Sequence, residues 1–133
     1  MSEETIEMHP EAPPREQPPV SDTALWTAVL LGPFVFLLNL QINYVMVDWA
    51  CSSGTEWSLH LVHAASVAVA AASAVASWSF WKRAGGSWPD SAGGSAARTR
   101  LLGVVGVLSG ALFAVSIAAQ WLTVIIEGAC LRN

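Results

Sequence analysis

The chain has 133 residues, 53% of them hydrophobic and 12% charged, with a formal net charge of −4. Soluble domains carry about 25% charged residues because water must wet their surface, so much of this chain is expected to face something other than water. The length excludes more than one ordinary domain, and the absence of a basic stripe with interleaved aromatics excludes nucleic acid as a partner.

Residues 1–22 come first and are acidic. Glu3, Glu4, Glu7, Glu11, Glu16 and Asp22 stand against Arg15 alone, and residues 1–20 hold five prolines. So little apolar surface cannot offset the entropy of ordering, and the reading is a disordered cytoplasmic tail. The tail is not a secretory signal, since it lacks a positive start followed by a short apolar core.

Three uncharged apolar stretches follow, at about Ala24–Val47, Trp57–Trp81 and Leu101–Ile126. Each reaches the roughly 20 residues that a helix needs to cross a hydrocarbon core of about 30 Å. None has a polar face wide enough for a helix of a soluble bundle. The predicted fold is an all-α membrane protein, with three transmembrane helices in a small bundle behind the disordered N-terminal tail. In the first span Pro33, after Gly32, removes a backbone donor and should bend the helix unless a neighbour satisfies the freed carbonyl. Between spans one and two, Ser53-Gly54-Thr55-Glu56 fits the S-x-x-E capping box. Residues 82–100, rich in Gly, Ser and Ala, read as a flexible loop.

Orientation follows from charge. Lys82, Arg83, Arg98 and Arg100, four of the six basic residues, sit in the second loop, and the first connection has none. The positive-inside rule makes that loop and the N-terminus cytoplasmic. The first connection and the C-terminus then lie outside, in the periplasm of a bacterial inner membrane. Trp26, Trp78 and Trp81 suit an inner aromatic belt, and Trp49, Trp57 and Trp121 an outer one. Both cysteines, Cys51 and Cys130, fall on the outer, oxidising side, which favours a disulfide between them. A thiol pair that binds copper or exchanges disulfides is the alternative, and the lack of C-x-x-C argues against it.

Polar side chains of three separate segments share one depth. At about 1.5 Å per residue, Asn39 and Asn43 lie roughly 12 and 6 Å below the outer end of span one. By the same rise His60 and His63 lie roughly 4 and 9 Å below the end of span two, and Gln120 roughly 9 Å below that of span three. The expected role is an interhelical polar layer. The sharper alternative is a haem or copper site on His60 and His63. Gln41 lies about 200° from Asn39 around the helix, and three helices cannot cover both faces of the first. Gln41 is therefore read as a contact to another membrane protein. Gly106, Gly110 and Ala114, with Ala118, form a stripe of small residues for close helix approach and are grouped with that partner surface. Span two offers a matching line at Ser66, Ala70, Ser73 and Ser77.

The strings "LGPFVFLLNLQINYVMVDWAC", "HLVHAAS" and "AAQWLTVIIEGAC" resemble small three-span membrane proteins encoded beside the subunits of bacterial aa3- or caa3-type cytochrome c oxidases. The resemblance covers residues 31–130 and draws attention to Gly32, Pro33, Gln41, Tyr44, Cys51, His60, Gln120 and Cys130. It implies an accessory or assembly role near a respiratory oxidase, and it brings no catalytic residues. No Ser-His-Asp set, phosphate loop, carboxylate pair or zinc spacing is visible in the chain, so the expected protein is not an enzyme.

Overall fold

The structure is a computed structural model that describes residues 19–89 and 93–130. Nearly all of the acidic tail, with His9, lies outside the described residues. Three helices run up, down and up: α1 (Asp22–Ser53), α2 (Trp57–Arg83) and α3 (Ser95–Glu127). All three are long and apolar enough to cross a membrane, and only 22–28% of the most apolar window of each is buried in the bundle. Such a surface belongs in a lipid bilayer, and the chain is a multi-pass membrane protein.

Every helix outruns its apolar stretch. α1 starts at Asp22, where Ser21 Oγ accepts from the Ala24 amide at 3.3 Å, and an acidic side chain in the first turn suits the helix dipole. It runs on to Ser53 and stops at Gly54, whose φ of 68° only glycine adopts cheaply. The Gly54 and Thr55 amides both return to the Ala50 carbonyl, a C-terminal closure of the Schellman kind. The expected capping box therefore does not form. Ser53 bonds back to Trp49 and to Thr55, and Glu56 makes no side-chain cap on α2. The glycine inside the motif ends one helix before the serine can begin another. The second loop is also shorter than expected, because Ser95–Arg100 belong to α3; alanine and arginine are good helix formers. Arg100 Nε donates to the Ala84 carbonyl at 2.7 Å and satisfies the end of α2.

Packing relies on close backbone approach. A Cβ at Gly110 would lie 2.7 Å from Ser73 Oγ and 2.8 Å from the Ala74 nitrogen. One at Gly103 would lie 2.8 Å from Trp81 Cβ, and one at Gly106 2.8 Å from Ser77 Cβ. Gly32 meets Gly110 in the same way, its would-be Cβ 3.2 Å from the Gly110 Cα. In lipid the hydrophobic effect does not drive helices together, so dispersion contacts and hydrogen bonds must. The contiguous apolar cluster is accordingly small: Val35, Ala70 and Ile117, with Leu31, Phe36, Val67 and Ala114 against it, while Leu25, Ala28, Ala50 and Leu59 are buried apart from it.

Pro33 sits inside α1. Its missing N–H would have bonded the Val29 carbonyl, four residues earlier. Ser109 Oγ of α3 donates to that carbonyl at 3.3 Å instead, which the adjoining Gly32–Gly110 contact makes possible.

Candidate functional site

The polar side chains gather at the end of the bundle that carries the two cysteines. Asn39 is 1% exposed and His63 3%. Asn43 Nδ2 donates to the Asn39 backbone carbonyl at 2.7 Å and to Asn39 Oδ1 at 3.2 Å. Asn39 Nδ2 donates in turn to Gln120 Oε1 at 3.3 Å. A backbone carbonyl only accepts, so this first contact fixes the direction of the whole relay. Asn43 must present its NH₂, Asn39 must accept through Oδ1, and Gln120 must accept through Oε1. Among the described residues Asn43 Oδ1 and Gln120 Nε2 have no hydrogen-bond partner at the two ends.

The two histidines are both engaged with Trp121. Trp121 Nε1 donates to His60 Nδ1 at 2.9 Å, and its ring stacks on His63 with centroids 6.4 Å apart and an 18° tilt. Indole nitrogen only donates, so the proton of His60 sits on Nε2. His63 Nδ1 faces the Leu59 carbonyl at 2.9 Å. That oxygen only accepts, so His63 carries its proton on Nδ1 and offers Nε2 as an acceptor. Residues 60 and 63 thus take opposite tautomers three positions apart. As a metal ligand, His60 would have to give up Trp121 at Nδ1, whereas Nε2 of His63 is open. Among the described residues no three His, Cys, Asp or Glu side chains come together.

Next to this layer lies a cleft of about 430 Å³ between α1 and α3. Asn39, Asn43 and Val47 line it from α1, Gln120 and Val124 from α3, and His63 from α2. Its rim is Glu127, Gly128 and Ala129. Those last residues are held by the Cys51–Cys130 disulfide, with Cα atoms 5.6 Å apart.

The remaining sequence candidates fall in two groups. Gln41 is exposed on the side of α1 away from Asn39, and Tyr44 is 79% exposed near it. The small-residue stripe, in contrast, is corrected. Gly106 and Gly110 do not face a partner: they are buried against Ser77, Ser73 and Ala74 of α2. Ala114 packs on the internal core, and Ala118 is exposed. Steps of four residues drift about 40° each around a helix, so a fourfold stripe leaves the interface within three steps. The buried line is Gly103, Gly106, Gly110 and Ile117. Its counterpart on α2 holds Ala70, Ser73 and Ser77.

Sequence reasoning missed Trp121 as part of the site and placed it in an aromatic belt. The signal was present, since Trp121 follows Gln120 and shares the depth of His63.

Fold and site define a three-span membrane protein with a buried amide relay under a disulfide-tied rim. No protein-family model, curated protein or solved structure matches the chain.

Proposed function

We propose that the protein is a non-enzymatic accessory subunit or assembly factor of a larger membrane complex, with a bacterial respiratory terminal oxidase the complex that its sequence resemblance suggests. The observation that carries this reading is the uncovered face of α1. Leu30, Phe34, Leu37, Gln41, Tyr44 and Asp48 follow one another at alternating steps of four and three residues. Leu30, Phe34, Leu37 and Tyr44 are 55–79% exposed, and Gln41 and Asp48 are exposed as well. This is the spacing with which one helix seats another. The Gln41 amide has no hydrogen-bond partner among the described residues, and an amide left facing hydrocarbon is costly. A helix of another subunit, bearing a polar group at the same depth, satisfies both demands.

Placement in the bacterial inner membrane belongs to the same proposal. The disulfide lies at one end of the bundle, and Lys82, Arg83, Arg98 and Arg100 lie at the other. An oxidising compartment at the first end and the cytoplasm at the second fit both cues.

The test is purification of the tagged chain from native membranes in mild detergent, with the co-purifying proteins identified by mass spectrometry. Oxidase subunits in stoichiometric amounts, lost with Gln41→Leu, are expected. Recovery of the bait alone would sink the reading. A haem or copper role is the second reading, and it rests on His63, whose Nδ1–H bond to a carbonyl is the arrangement that metal-bound imidazoles use. An optical or metal signal in the purified chain, absent in His63→Ala, would favour it.

A further inference from the structure

We propose that the cleft between α1 and α3 binds the head group of an uncharged, hydroxyl-bearing amphiphile taken from the leaflet at the disulfide end. Three polar atoms carry the assignment: Asn43 Oδ1, His63 Nε2 and Gln120 Nε2. None has a hydrogen-bond partner among the described residues, and all three residues line the cleft. Their roles are fixed by the bonds that the same side chains already make, as two acceptors and one donor. They are held in place from behind by side chains that are almost fully buried, Asn39 at 1% and His63 itself at 3% exposed. A ligand hydroxyl donates to one of the two acceptors at a time, and a neighbouring ligand carbonyl or second hydroxyl accepts from Gln120 Nε2.

Charge and depth narrow the class further. Among the described residues no lysine or arginine lines the cleft, and Glu127 is one of its lining residues, so a phosphate head group meets a repelling carboxylate there. Gln120 lies seven residues inside the end of α3, about 10 Å along the axis, below the level where most head groups rest. Apolar side chains, among them Leu40, Val47, Leu59 and Val124, make up the rest of the wall. At about 430 Å³ the space falls in the range of small-molecule sites, roughly 300–1,000 Å³. That suits a small polar head with its first methylenes.

The experiment uses the full chain in phosphatidylcholine nanodiscs with ¹⁵N-labelled histidine and glutamine. Diacylglycerol is titrated in while the His63 Nε2 and Gln120 amide resonances are followed. A saturable shift at both is expected, with half-saturation about tenfold weaker in Asn43→Leu, as the loss of one hydrogen bond to a buried group implies. Val124→Trp, which fills the cleft from an apolar wall and leaves the relay intact, should abolish the shift and serves if Asn43→Leu does not fold. Diacylglycerol with its hydroxyl methylated should half-saturate at least about tenfold more weakly, since it loses the same donated bond. Saturation by free glycerol would assign the cleft to a water-soluble polyol and overturn the amphiphile. An equal response to phosphatidylglycerol, or none to any probe, would overturn the site.

Discussion

The hydroxyl of Ser109 donates to the carbonyl of Val29, the group that Pro33 strips of its intrahelical donor. A proline that should weaken α1 thereby becomes a link between α1 and α3. Ser109→Ala should cost about 0.5–1.5 kcal/mol. Pro33→Ala restores the native donor and should make the same serine substitution nearly silent. A double-mutant cycle on reversible unfolding in mixed micelles measures the coupling, and additive effects would show that the two sites are independent.

The relay from Asn43 through Asn39 to Gln120 should behave as a unit. Interhelical hydrogen bonds in membranes average about 0.6 kcal/mol, with a maximum of about 1.7. Asn39→Leu should fall at the upper end, because it takes the donor from Gln120 Oε1 on another helix and one of the two acceptors from Asn43. Asn39→Leu with Asn43→Leu and Gln120→Leu should cost less than the sum of the single changes, since no amide is then left unpaired. A triple variant as damaged as that sum would mean that the amides act separately.

Ser77 and Gly106 make opposite predictions at one contact. Among the described residues Ser77 Oγ is buried without a hydrogen-bond partner, so Ser77→Ala should leave stability unchanged or raise it by about 1 kcal/mol. Gly106→Ala puts a methyl where Ser77 Cβ would be 2.8 Å away, and overpacking of this kind costs about 1–3 kcal/mol. Thermal unfolding in detergent separates the two, and equal losses would contradict the packing described.

Labelled histidine spectra test the tautomers directly. His60 should resonate as the Nε2–H form and His63 as the Nδ1–H form. Trp121→Phe removes the indole donor but keeps a ring to stack on, so only His60 should respond. The same tautomer at both positions in the native chain would disprove the arrangement.

How much of this was legible beforehand varies with the physics involved. The three spans were readable because length and apolarity alone decide them. Their ends were not, because a helix continues past the membrane until a residue such as Gly54 stops it, and local propensity around Ser95 outweighed the loop-like composition. The polar layer was visible as a coincidence of depth. Its wiring was not, since which amide accepts depends on a backbone carbonyl that no spacing reveals. Of the line read on α2, Ala70, Ser73 and Ser77 are buried and Ser66 is not. The glycines of α3, read as a partner surface, lie inside the bundle, because spacing alone does not say which neighbour a small residue meets.

The bond between Cys51 and Cys130 spans 79 residues and turns everything between them into a ring. Covalent continuity from α1 to α3 then no longer depends on the linker after Arg83. A protease that severs that linker leaves one molecule on a non-reducing gel and two fragments once thiol is added. Between cleavage and reduction, α3 stays joined to α1 through sulfur alone.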